Sequence, residues 1–414
     1  MRNAPDAENS ADSADSLQEP VPHQPTVPAP GPQRRPEPAD RPDGGVLRLD
    51  LRIPVPATRG HDQSSQNQSS QHDGADQDGW QIAVTVCLPA PPSPSATGPG
   101  ADGLETGGLE TGGLEPGGLA AGGSGPGVPV LVGLPGGGYA RRYFDLPEPG
   151  YSQAEHHVRR GAVVVMVDHL GVGESSVPPT EVTDLPTVAA AGHHAVTAVV
   201  DGLRSGTLTP GVGPVGVSAV IGMGQSMGGH ILAAMQAHHR TFDGVAILGS
   251  SMTATTIPWR PGTPGPVIPE GSSPDEAMAV VLASADWIYA FFWEDVPESL
   301  VRADSTGGLP GRRTAPVWGS TTYPGLTGAE VLPAGVAEAA ASIDVPVLFA
   351  TGTRDVTGPP LTELAAFSSA TDLAWFVAPR MAHMHNFAGT RHLLWNRLDA
   401  FAAQVTGPRT TRLW

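Results

Sequence analysis

The chain has 414 residues with 41 acidic and 23 basic side chains, a formal charge of −18, and no Lys/Arg-rich run that could neutralise a series of phosphates, which excludes nucleic-acid binding. Its 53 glycines and 44 prolines crowd before Val128 and between Trp259 and Tyr323, so much of the length cannot join a core. One cysteine, Cys87, leaves neither an internal disulfide nor a thiol metal site; residues 1–20 lack the apolar stretch of a secretory signal, and no run approaches the roughly 18 apolar residues that span a bilayer, so a cytoplasmic protein without a membrane span is expected.

Residues 1–43 hold too few large apolar side chains to offset the entropy of ordering them, and read as a disordered tail. Residues 46–55 and 80–88 alternate apolar and polar side chains as half-buried strands do, and the polar run 56–79 between them reads as a flexible loop insertion. Cys87 falls on the second strand, where a thiol serves as a small hydrophobe. Within 91–127 a five-residue unit recurs as DGLET, GGLET, GGLEP and GGLAA, too rich in glycine for a helix, and reads as a second loop insertion.

From Val128 the pattern changes to short continuous apolar runs, the signature of parallel strands covered on both faces. Strands are expected at 128–134, 162–167, 218–224, 244–248, 345–350 and 373–378, and helices at 152–160, 187–204, 229–239, 361–369 and 386–405. This alternation predicts an α/β fold, a doubly wound and mostly parallel sheet whose first two strands form an antiparallel edge. Residues 252–342 interrupt it where an insertion would cover the carboxyl ends of the strands, and are expected to form a cap between core segments 44–251 and 343–414. The most helix-like part of the cap is 278–302, which carries Trp287, Tyr289, Phe291, Phe292 and Trp293.

The run Gly224-Gln225-Ser226-Met227-Gly228-Gly229 follows a predicted strand and opens a predicted helix, the context in which Gly-x-Ser-x-Gly marks a nucleophilic serine. A sharp turn there strains the serine backbone and brings strand and helix so close that side chains at 224 and 228 would clash. Four further runs follow strand ends: Leu134-Pro-Gly-Gly-Gly-Tyr139, Asp168-His-Leu-Gly-Val-Gly-Glu-Ser175, Thr351-Gly-Thr-Arg-Asp355 and Pro379-Arg-Met-Ala-His-Met-His-Asn-Phe387.

With these motifs in this order, the sequence from Val128 onward resembles the α/β-hydrolase superfamily. The resemblance implies an oxyanion loop at the glycine run, although Pro135 stands where His is usual; Gly137, or Gly138 in its place, would pair with Met227 to supply backbone N–H groups. It implies Asp355 as the triad acid, since 249–260 contain no carboxylate, and His383 as the base. His385 remains an alternative base, because Met381 replaces a usual small residue. Asp168 is expected to hold its own loop, and Arg141, Arg142 and Tyr143 to be solvated loop residues, with contact to a polar substrate group as the alternative reading.

The implied activity is hydrolysis of an ester, lactone or thioester through an acyl-enzyme on Ser226, with a small-molecule acyl substrate and neither cofactor nor metal. Carbon-carbon bond hydrolysis, cofactor-free peroxidase chemistry and a noncatalytic binding role stay open. Tyr139, Trp287 and Phe291 are the candidate substrate contacts, with packing of the cap itself as the alternative reading of its aromatics.

Overall fold

The computed structural model describes residues 45–57, 79–90, 127–267, 269–271, 273–309, 311–326 and 336–407. The expected tail at 1–43 and nearly all of both loop insertions lie outside the described residues.

Eight strands form one sheet: β1 (Val46–Val55), β2 (Trp80–Pro89), β3 (Val128–Leu134), β4 (Val163–Val167), β5 (Val217–Gln225), β6 (Gly244–Leu248), β7 (Val347–Arg354) and β8 (Leu373–Ala382). Their spatial order is β1-β2-β4-β3-β5-β6-β7-β8. The β1/β2 and β2/β4 pairs are antiparallel and every other pair is parallel, as the sequence pattern predicts. The continuous apolar runs VVVMV of β4 and GVAIL of β6 are buried along their whole length, because helices cover both faces of the sheet.

Side chains alternate between two helix layers. Val130 and Val132 of β3 pack in the cluster that includes Val188 and Ala191 of α2 (Leu185–Ser205) and Ile231 and Leu232 of α3 (Met227–His239). Leu131 between them joins the opposite cluster, with Val158 of α1 (Gln153–Val158) and Leu394 and Leu398 of α9 (Arg391–Thr406). The start and stop of α2 follow from local chemistry: the Asp184 side chain accepts from Thr187 N, and Gly206 closes the helix at φ 71°.

Between β6 and β7 lie α4 (Pro274–Ser284), α5 (Trp287–Phe291), α6 (Glu298–Ser305) and α7 (Ala337–Ala341), with α8 (Pro360–Ala365) following β7. The single helical element expected over 278–302 is thus three short helices. Asp286 caps a new start by accepting from Tyr289 N, Phe292 is extended, and Pro297 stands ahead of α6, where it cannot continue a preceding helix. Ala340 of α7 belongs to the same apolar cluster as α3, so this end of the inserted stretch packs with the sheet layers. Among the described residues no helix is long and apolar enough to cross a membrane.

Candidate active site

Ser226 sits between the end of β5 and the first residue of α3 at φ 52° and ψ −123°, a conformation that an L-residue adopts only under constraint. The constraint comes from both sides. A Cβ on Gly224 would lie 2.4 Å from Gly228 O, and one on Gly228 would lie 2.0 Å from Leu134 O, so neither position accepts a side chain. Ser226 N donates to Leu248 O at 3.0 Å, while Ser226 O accepts from Gly229 N at 2.8 Å and from the Ser250 hydroxyl at 2.5 Å. The backbone is therefore held, and the residue as a whole stays partly exposed.

The partner side chains come from the ends of β7 and β8, which run further than the sequence suggests, to Arg354 and Ala382. A register shift after Gly352 and a positive φ of 50° at Arg380 deliver Asp355 and His383 just beyond the paired strands. His383 Nε2 lies 3.0 Å from Ser226 Oγ, and His383 Nδ1 lies 2.7 Å from Asp355 Oδ1. The carboxylate can only accept, so Nδ1 carries the proton and Nε2 is left to accept from the serine hydroxyl. The Gln225 amide donates to His383 O at 3.1 Å, tying the residue before the serine to the histidine loop.

Asp355 receives four donors. Gly352 N at 2.7 Å and His385 Nε2 at 2.7 Å meet Oδ2, and Val356 N at 2.9 Å and His383 meet Oδ1. Burial pushes this carboxyl up, but the charge and hydrogen bonds of His385 and His383 overcome it and hold the group well below the usual carboxylate range. Of the two histidines, His383 bonds to Ser226, and His385 bonds to the other oxygen of the carboxylate.

The glycine loop after β3 reaches the serine closely. A Cβ on Gly136 would lie 2.9 Å from Ser226 Cβ, and Gly137, the next residue, is partly exposed, with Met227 Sδ 3.9 Å from where its Cβ would stand. Gly138 adopts φ 78°, and its carbonyl accepts from Ser320 N at 3.0 Å and Arg312 Nε at 3.1 Å. Pro135 O accepts from His169 Nε2 at 2.8 Å; burial pushes this histidine down to about 4, so it is neutral near pH 7.

Residues 130–404 match the model of the alpha/beta hydrolase family. The chain belongs to that family. Among solved structures, this hydrolase-family chain is similar to a thermophilic esterase from Thermogutta terrifontis at 16% identity, covering 80% of this chain and 97% of that one, with a TM-score of 0.45. It is similar to a proline iminopeptidase from Mycobacterium smegmatis at 18% identity, covering 79% and 96%, with a TM-score of 0.49. It is also similar to a monoglyceride lipase from Saccharomyces cerevisiae at 15% identity, covering 83% and 98%, with a TM-score of 0.49. No curated protein sequence matches it.

The inserted stretch of this hydrolase touches the site at two places. Ala290 O and Phe291 O of α5 accept from His383 N at 3.3 Å and Met384 N at 2.9 Å, and the Phe291 ring centroid stands 5.3 Å from that of His383. Half-buried Trp287 packs edge-on against Phe291 at 5.1 Å. The second contact is polar and buried. Tyr139 donates to Asp304 Oδ2 at 2.6 Å, and Asp304 Oδ1 accepts from Trp318 Nε1 at 2.6 Å and from Arg312 at 3.1 Å, with the Arg312 and Asp304 side chains both fully buried.

Tyr139 therefore departs from its expected role. It is 1% exposed and its hydroxyl is taken by Asp304, which leaves no surface or polar atom for a substrate. Arg141 and Tyr143 are also buried rather than solvated: Arg141 pairs with Asp168 Oδ2 at 2.5 Å and Glu174 Oε2 at 3.0 Å. Asp168 also accepts from Glu174 N at 2.8 Å, the loop-holding role expected of it. Sequence reasoning missed Asp304, Arg312 and Trp318, which lie in a stretch rich in Gly and Pro; Gln225 was visible inside the serine motif itself.

One group of three metal-capable side chains occurs among the described residues, at His156, His157 and Asp399, where α1 meets α9. Its lone pairs are already committed. Arg160 stands 3.1 Å from His156 Nδ1 and the Gln153 amide nitrogen 3.2 Å from His157 Nε2; both are donors, so each facing ring nitrogen accepts. The protons then sit on His156 Nε2 and His157 Nδ1 and point at Asp399, at 3.0 and 2.5 Å. A metal ion would need both nitrogens bare and would meet the Arg160 guanidinium, 3.3 Å from the same carboxylate.

Proposed function

We propose that the protein is a serine hydrolase that cleaves a carboxylic ester-like bond (ester, lactone or thioester) through an acyl-enzyme on Ser226. The observation that carries this reading is the chain Ser226 Oγ, His383, Asp355, with steps of 3.0 and 2.7 Å on a strained turn at the head of a helix.

In the first step His383 Nε2 takes the hydroxyl proton as Oγ attacks the carbonyl carbon, and the charge that develops on the carbonyl oxygen is received by the backbone N–H groups of Gly137 and Met227. The N-terminus of α3 adds a favourable dipole at that point. His383 then returns the proton to the departing alcohol or thiol, and water repeats the cycle on the acyl-enzyme with the same residue as base. Asp355 stabilises the imidazolium formed in each half.

The substrate is a small acyl compound, and the inserted stretch acts as a cap. Phe291 beside His383, with Trp287 packed on it, supports an apolar group on the substrate at that side. The test is hydrolysis of p-nitrophenyl acetate, butyrate and octanoate by the purified protein. Turnover in the wild type that disappears in Ser226→Ala supports the reading; a folded wild type inert toward all three esters contradicts it.

A further inference from the structure

Asp355 is the meeting point of two imidazoles, and the mechanism above uses one. His385 Nε2 lies 2.7 Å from Oδ2, the oxygen that His383 does not touch. A carboxylate only accepts, so His385 carries its proton on Nε2 and leaves Nδ1 bare; that nitrogen is buried and meets no hydrogen-bond partner. The loop that carries His385 is held by its neighbour: Asn386 N donates to Tyr143 Oη at 3.3 Å, and Asn386 Oδ1 accepts from Trp395 Nε1 at 2.9 Å.

The surroundings leave little room for a substitute donor. The groups around the carboxylate are His383, His385, the N–H groups of Gly352 and Val356, the Tyr143 phenol and the backbone of Gly249. Gly249 adopts φ 58° and passes so near that a Cβ would stand 2.9 and 3.0 Å from the two oxygens and 3.0 Å from His385 Cε1.

We propose that His385 is a positioning residue for the reaction centre: its Nε2–H holds the outer oxygen of Asp355, fixes the plane of the carboxylate, and draws charge from the oxygen that faces His383. The inference rests on the reading of Ser226, His383 and Asp355 as that centre. With one charge-assisted donor removed, the carboxylate is freer to turn and attracts the His383 imidazolium more strongly. The base is then aligned less often and stays protonated to a higher pH.

The experiment compares the pH dependence of kcat/KM for a p-nitrophenyl ester in the wild type, His385→Phe and His385→Gln. Phe keeps a flat ring without a donor, whereas Gln keeps an N–H. His385→Phe is expected to lower kcat about ten- to a hundredfold with KM little changed, and to move the acidic limb up by about half a unit to one unit. His385→Gln should recover part of kcat and return the limb toward the wild-type position. A folded His385→Phe with an unmoved limb, or identical behaviour of the two variants, overturns the proposal.

A second measurement uses the wild type, so it does not depend on a variant folding. Histidine-labelled protein in ¹⁵N-edited NMR should show His385 as the Nε2–H tautomer, and the Nδ1–H tautomer would contradict the assignment. A wild type without turnover counts against the hydrolase reading, whereas an active wild type with an unmoved limb in His385→Phe sinks this inference alone.

Discussion

The protein builds the same trio of side chains twice. Asp355 accepts from His383 and His385 at the ends of β7 and β8, and Asp399 accepts from His156 and His157 where α9 meets α1. What separates them is the far nitrogen of each ring. His383 Nε2 faces a serine hydroxyl at 3.0 Å, whereas His157 Nε2 faces the Gln153 amide and His156 Nδ1 faces Arg160. A base needs a lone pair aimed at a proton that can leave; the second trio spends its lone pairs on donors that do not give theirs up. The arginine also leaves Asp399 with a permanent cation, while Asp355 is held by imidazoles and backbone amides alone. A histidine–aspartate pair is therefore no signature of reactivity without its third partner.

The largest expected effects fall on the first trio and the serine it faces. Ser226→Ala should cost about 10⁴- to 10⁶-fold in kcat for a p-nitrophenyl ester, with circular dichroism unchanged. Asp355→Asn should cost about 10⁴-fold, because the amide no longer holds the His383 proton on Nδ1, and steady-state kinetics on the folded variant reads this directly. Replacing Asp399 by Asn should leave kcat within about twofold, since nothing it touches reaches Ser226; a loss as large as that of Asp355→Asn would erase the contrast.

The next effect is on stability. Asp304→Ala leaves the buried Arg312 guanidinium without its counter-charge and the Tyr139 hydroxyl without its acceptor, and should destabilise the fold by about 3–5 kcal/mol in urea titration. Because Gly138 O also leans on Arg312 Nε, the same variant should lower kcat even where it stays folded.

The smallest effect is in pH. Burial pushes the Asp399 carboxyl up, but bonds from His156 and His157 hold it down, to about 2. A depressed carboxyl contributes stability that is fully present above the unfolded value near 4 and is lost as pH falls toward 2. The thermal midpoint of the wild type should therefore fall more steeply across that window than that of Asp399→Asn, and parallel curves would remove the role assigned to this pair.

What could be read from the sequence follows how local the cause is. The elbow at Ser226 was legible because the clash of Gly224 with Gly228 and the strand-to-helix turn lie within six residues. The strand limits of β3 and β6 were legible because apolar runs covered on both faces start and stop sharply. Spacing from the strand end favoured His383 but left His385 open, because the turn at Arg380, with φ 50°, lies between the strand and both rings and no local pattern encodes it. The Tyr139–Asp304 bond joins residues 165 apart and the His157–Asp399 bond residues 242 apart, and no periodicity encodes either. The inserted stretch misled in a different way: residues 278–302 have the length of one helix, while Asp286 and Pro297 cut them into separate elements.

The contrast between the two trios comes down to one hydroxyl, and a fluorophosphonate probe followed by peptide mass mapping tests it most directly. The account predicts a single adduct, on Ser226, in the wild type and in Asp399→Asn, and its loss in His383→Ala. A folded wild type that carries no adduct on Ser226, or one that His383→Ala forms as fast as the wild type, contradicts it.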